Sequence, residues 1–398
     1  MRSTNYIANS FIITQIGILV ILFINPLLGF IVSTISIFTR SSISVKQLYL
    51  FITSITFLLA YLNSTKIPSS DTVHYLEWFQ AVDRNKPIDS FLYYRGVFSL
   101  KDPLFTVISI VLNYLTFGSI GGYLFFCTSI IYLLQFFAVV NVAKRMEINR
   151  FYIALTILVL AFCNPLFIQS VHAIRQMMAT AMLLYSVSYR VVYGKNNWYM
   201  LIASLLTHFS VVLFIPFIIL PFFYKKFSIV RLAQMVFSVV GVVLLSKIIL
   251  PFLAEVGEDN LSEFATQVGI SMNNNEMTLG LRGFLMYNIP ILVLALLSFI
   301  NGGWTKGELM IYYFLYIIVF SFVLINPIST ELSIRYGFYI WSLIPYCILA
   351  FIVVFRRNAK VIILPISILF VLVFFNLLAR DPSFPKLMFL FLKPFPLL

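Results

Sequence analysis

Between about residue 8 and residue 379 the chain is a succession of long apolar runs, and that pattern leaves little freedom in the fold. Runs near 20 residues match what a helix needs to cross about 30 Å of hydrocarbon. Inside a bilayer no water satisfies backbone N–H and C=O groups, so each run must close its own hydrogen bonds as a helix. About twelve segments can be drawn, over residues 8–38, 47–63, 103–117, 120–142, 151–169, 176–193, 198–223, 230–254, 283–300, 309–327, 336–355 and 361–379. With 61% hydrophobic and 10% charged residues and a mean hydropathy of +0.99, the composition lies well outside that of water-soluble domains. The expectation is an all-α, polytopic integral membrane protein with about 10 to 12 transmembrane or re-entrant helices in one transmembrane domain over 1–398.

The first apolar run has no small-residue cleavage site and reads as a retained anchor. Cys127, Cys163 and Cys347 all lie within apolar runs without metal-type spacing, so they read as packing residues. The formal charge of +13 could suggest a nucleic-acid partner, but Lys and Arg are spread over short connectors with no groove-reading or stacking module. The clusters Lys144/Arg145/Arg150, Arg190/Lys195, Lys225/Lys226/Arg231 and Arg356/Arg357/Lys360 instead fit the bias of cytoplasmic connectors toward basic residues.

Placing those clusters inside creates two conflicts of parity. Residues 198–223 would have both ends in the cytoplasm, which a re-entrant hairpin turning at His208 resolves; the alternative is one long tilted helix. Three segments also join Lys46 to Lys144, two ends that both look cytoplasmic, and the short run after Asp102-Pro103 is the first candidate not to cross. On this reading the two long polar connectors, about 64–101 and 255–282, face the extracytoplasmic side with Arg175, Arg282 and Arg335.

Few residues remain that could carry chemistry. Arg175 follows a polar break from Asn164-Pro165 to His172, and Arg335 stands just before a helix at Tyr336. A guanidinium at the membrane edge either snorkels or grips phosphate with its planar fork. His208 sits between Thr207 and Ser210 in an apolar run, as a packing residue or a site residue. Asp71, His74, Tyr75, Trp78 and Phe79 follow helical spacing, which would set an acid, an imidazole and three rings on one face. Such a face suits a sugar ring and equally an amphipathic helix lying on a membrane. Tyr93-Tyr94-Arg95 and Lys101-Asp102 add polar groups nearby. With three histidines and no paired carboxylate at ligand spacing, neither a metal nor another cofactor is expected.

Taken in order, Asp71-x-x-x-Tyr75-x-x-x-Phe79, Asp102-Pro103-Leu104-Phe105, Arg175-Gln176-Met177-Met178-Ala179, His208-Phe209-Ser210 and Arg335-Tyr336 resemble the pattern of the EpsG/Wzy group of bacterial polysaccharide polymerases, with Asp102 where that group favours Glu. The resemblance implies a glycosyltransferase of the bacterial inner membrane, its site facing the periplasm or cell exterior. It would join undecaprenyl-diphosphate-linked repeat units into O-antigen or capsular polysaccharide, with a chain-length regulator as a possible partner. It also implies roles: Arg175 and Arg335, with Arg282 in reserve, would stabilise charge on the leaving diphosphate. His208 or Asp102 would be the general base, and Asp71, Tyr75, Trp78, Arg95, Gln176 and Tyr336 would contact substrate. The alternatives are a lipid-linked oligosaccharide flippase, which calls for two related halves, and a membrane O-acyltransferase.

Overall fold

The structure is a computed structural model that describes residues 15–39, 42–69, 71–98, 102–226, 281–325 and 330–385, with part of 228–241. Most of the expected connector over 255–282 lies outside those residues. Among the described residues the chain is helical with no strand, a polytopic membrane architecture. Four helices among the described residues are long and apolar enough to cross a membrane, and a fifth span results if one bent pair counts as one.

The elements form two compact units, residues 1–211 with 360–398, and residues 212–359. In the first unit α1 (Gln15–Ile24) and α2 (Pro26–Phe38) replace the single run expected from hydropathy. Asn25 divides them: its side chain accepts from the Leu28 amide at 3.0 Å, and Pro26 supplies a first-turn residue that needs no donor. α3 (Val45–Ser64) opens with a reciprocal capping box between Ser44 and Gln47. Then come α4 (Asp71–Gln80), α5 (Pro87–Phe98), α6 (Pro103–Leu115) and α7 (Ile120–Arg145). α6, with 13 residues, is about 20 Å long, short of a full crossing, as its parity suggested.

α8 (Arg150–Ala161) and α9 (Asn164–His172) are bent by 56° at Phe162-Cys163. The expected polar break from Asn164 to His172 is therefore a short helix, because Pro165 falls in its first turn, where proline is compatible with helix geometry. A second break at Ala173 precedes α10 (Ile174–Tyr193). α11 (Trp198–Thr207) then ends at His208, whose extended backbone, φ −161° and ψ 125°, excludes one continuous helix over 198–223. The last helix spans Ala359–Arg380.

This unit has two distinct ends. At one, Lys144 donates to the Tyr49 hydroxyl at 2.9 Å, Arg150 donates to the Ile43 carbonyl at 2.9 Å, and Lys360 lies 5.2 Å over the Phe151 ring. At the other, about 30 Å along the 20-residue α3, Gly121 packs against Ser64, and the Ile67 amide donates to the Ser383 carbonyl at 2.8 Å. At this second end Asn63 donates to Thr128 and Ser170, both at 3.0 Å, joining α3, α7 and α9. Cys127, Cys163 and Cys347 are buried free thiols, as packing residues should be.

In the second unit the helices Leu281–Ile300, Gly307–Ile325 and Thr330–Val354 pack together. The Tyr312 and Tyr346 rings stack 4.0 Å apart, and Ser298 and Tyr313 share a 2.5 Å hydrogen bond. Arg335 lies inside Thr330–Val354 and not ahead of its helix, because that helix opens at Thr330.

Candidate active site

α4 turns Thr72, Tyr75, Leu76 and Phe79 inward. Phe79 stacks on Tyr123 of α7 at 4.3 Å, and Tyr75 meets Phe105 of α6 edge-on at 5.7 Å. Packing therefore sets the helix's rotation, and it leaves His74 outside, paired with exposed Glu77 at 3.2 Å. His74 does not share the face of Tyr75 and Phe79 as its spacing suggested, because the apolar contacts centre on Thr72 to Phe79. Asp71 is exposed in the first turn, a favourable place for a carboxylate.

Asp102 is the N-cap residue of α6, with Pro103 at the first helical position. Asp in that place ordinarily caps, yet its side chain makes no cap hydrogen bond and its backbone is left-handed, φ 53° and ψ 49°. The carboxylate is committed elsewhere: Arg175 Nη1 donates to Asp102 Oδ2 at 2.6 Å. The Asp102 side chain is 8% exposed and that of Arg175 22%, so the pair is largely withdrawn from solvent.

Arg175 reaches Asp102 from the first turn of α10, just past the break at Ala173. Its Nε donates to the Tyr75 hydroxyl at 3.5 Å, a long contact, and its guanidinium carbon lies 5.2 Å from the Tyr75 ring and 5.5 Å from the Trp78 ring. One cation is thus held by a carboxylate and two aromatic faces drawn from three parts of the sequence. Burial pushes the Tyr75 phenol above its ordinary pKa, with Arg175 opposing the shift, so this hydroxyl stays protonated at neutral pH. The cluster can present a rigid guanidinium to an anion, with aromatic rings alongside for an apolar or sugar face.

The remaining candidates are placed as follows. Gln176 is buried beside Arg175, and Trp78, like Phe91, also packs against the cluster of Val82 and Ile110. Thr207 donates to the Met182 sulfur at 3.5 Å, which sets the end of α11 about two turns, roughly 10 Å, along α10 from Arg175. Next to it, His208 Nδ1 accepts from the Ser210 amide at 3.1 Å, so a neutral ring carries its proton on Nε2. Arg95, Arg282, Arg335 and Tyr336 have helical backbones, but their side chains lie outside the described residues.

Two features escaped the sequence reading. Arg84 donates to the Asn113 side chain at 2.9 Å and carbonyl at 3.2 Å, while Asn113 donates to the Phe79 carbonyl at 2.7 Å, which locks α4 to α6. Lys66 donates to His172 Nε2 at 2.7 Å. The available signal for the second was a lysine directly after a span, and a histidine three residues before Arg175 in a chain with three histidines.

A helical membrane protein with a cationic site walled by aromatic rings is the class that fold and site define. The sequence model described as the EpsG family matches residues 47–390, and the chain belongs to that family. Its function is accordingly of the membrane polysaccharide polymerase type. Neither curated proteins nor solved structures give a match.

Proposed function

We propose that the protein polymerises oligosaccharide repeat units carried on a polyprenyl (undecaprenyl) diphosphate, at the outer face of a bacterial cytoplasmic membrane. The observation that carries this reading is the Arg175–Asp102 pair against Tyr75 and Trp78, at the end of α3 away from Lys144, Arg150 and Lys360. If those basic residues mark the cytoplasmic side, Arg175 belongs to the outer one.

In the reaction the bond between the donor's anomeric carbon and the diphosphate oxygen breaks, and a hydroxyl of the acceptor repeat unit forms the new bond. Negative charge grows on the departing diphosphate, and a guanidinium held in a poorly hydrated site stabilises it without reorganising. Asp102 holds Arg175 before substrate arrives. As the guanidinium turns onto phosphate, the carboxylate becomes the base that takes the acceptor hydroxyl's proton. His208 presents Nε2–H, a donor, which makes Asp102 the better base of the two. Tyr75 and Trp78 offer ring faces to the sugar beside the phosphates. Asp71 and Gln176 extend the substrate surface.

The test uses purified protein with lipid-linked repeat units, no nucleotide sugar, and chelator throughout. A ladder of polymer is the expected product, and Arg175→Lys should reduce it at least about 100-fold at normal membrane abundance, through loss of the fork geometry. A full ladder from Arg175→Lys would overturn the assignment.

A further inference from the structure

Lys66 is 6% exposed, yet no carboxylate stands within ion-pair distance of it among the described residues. Its ammonium donates to His172 Nε2 and lies 5.4 Å over the Phe384 ring, while Asp381 acts on it only at longer range. A neutral ring nitrogen and a π face leave most of the charge uncompensated, and a buried cation so balanced attracts anions. Burial pushes the Lys66 ammonium below its ordinary pKa, with Asp381 opposing.

The surroundings orient this cation. Because Nε2 accepts from Lys66, the proton of a neutral His172 sits on Nδ1, which faces the Thr72 hydroxyl at 3.4 Å. Thr72 in turn donates to the Val171 carbonyl at 3.1 Å, so its lone pairs are turned to the imidazole. The connector that carries Lys66 reaches the surface at the next residue, Ile67, which is 64% exposed.

The position matters more than the pair itself. Thr72 and Tyr75 lie three residues apart on the inward face of α4, and His172 and Arg175 lie three residues apart across the break at Ala173. The Lys66–His172 centre meets α4 at Thr72, and the Arg175 centre meets it at Tyr75. The points at which the two centres meet α4 are therefore about one helical turn, roughly 5 Å, apart along its axis, with Lys66 reaching Thr72 through the His172 ring. We propose that Lys66, oriented by His172 and Thr72, is the second half of a diphosphate-binding site in which Arg175 takes one phosphate and Lys66 the other. This rests on the reading that the site handles a diphosphate-linked substrate, and it adds selection for two phosphates over one.

The experiment measures binding of farnesyl diphosphate, farnesyl monophosphate and inorganic diphosphate to the full chain in nanodiscs. Lys66→Met should weaken farnesyl diphosphate about tenfold, the size of one charge-assisted hydrogen bond, and change the monophosphate by less than about twofold. Lys66→Arg should keep the preference for diphosphate, and His172→Gln should lower it; these two decide the matter if Lys66→Met does not reach the membrane. An equal loss for inorganic diphosphate assigns the contact to the head group, and a loss confined to the farnesyl compound assigns it to the prenyl-linked form. Equal weakening of mono- and diphosphate in Lys66→Met and His172→Gln, or none, would overturn the proposal. Arg175→Gln separates this from the parent reading: unchanged diphosphate binding there removes the functional proposal, whereas loss there with an unchanged preference in Lys66→Met and His172→Gln removes only this one.

Discussion

Replacing Asp102 with Asn should destabilise the protein more than its size suggests, and replacing Arg175 with Gln in the same chain should restore part of the loss. The pair is 2.6 Å apart, with Asp102 8% and Arg175 22% exposed. Stripping one partner from a fully buried pair costs about 3–5 kcal/mol, since the other charge stays behind without its complement. Water reaches part of Arg175, and Asn retains a carbonyl acceptor, so about 2 kcal/mol is the expected coupling. At about 1.2 °C per kcal/mol for a chain of 398 residues, the double variant should melt about 2–3 °C above the sum of the two single effects. Thermal melts of detergent-solubilised protein followed by size-exclusion fluorescence provide the readout for all four members of the cycle. Strict additivity would refute the claim that the two side chains act as one unit.

Other perturbations probe the supports of the site. Gly118→Ala asks a residue with a Cβ to adopt φ +76° with Arg84 Nη2 3.0 Å away, and should cost about 1 kcal/mol, seen as a melt lowered by about one degree. Asn63→Ala removes the donor shared by Thr128 and Ser170 and should cost about 1–3 kcal/mol in the same assay. Lys66 gives a pH signature. Its pKa is lowered in the folded state, so the unfolded chain binds more protons between that value and about 10.5, and stability rises with pH across the window. Lys66→Met should flatten that rise, and an unchanged slope would show that another group produces it.

Hydropathy revealed the helices because bilayer physics leaves no other fold for such runs, and it revealed Asp102 and Arg175 because charges stand out against an apolar background. It did not reveal the breaks. Asn25 and Phe162-Cys163 interrupt runs drawn as continuous, while the polar stretch over 164–172 that reads as a break is itself a short helix, with Ala173 as the second break after it. His74 was placed on the wrong face because its spacing was judged by chemistry, whereas Phe79 on Tyr123 and Tyr75 on Phe105 set the rotation of α4. Lys66 and His172 are 106 residues apart, and the packing of α9 against the end of α3, where Asn63 bonds Ser170, and against α4 brings them together.

The left-handed turn at Asp102 carries a further consequence. Glycine adopts such a backbone without steric penalty, whereas a residue with a Cβ gives up stability to stay there. Local backbone preference alone would favour glycine at this position. A carboxylate in its place records a trade in which local backbone comfort is surrendered so that an arginine on a distant helix is held in one orientation.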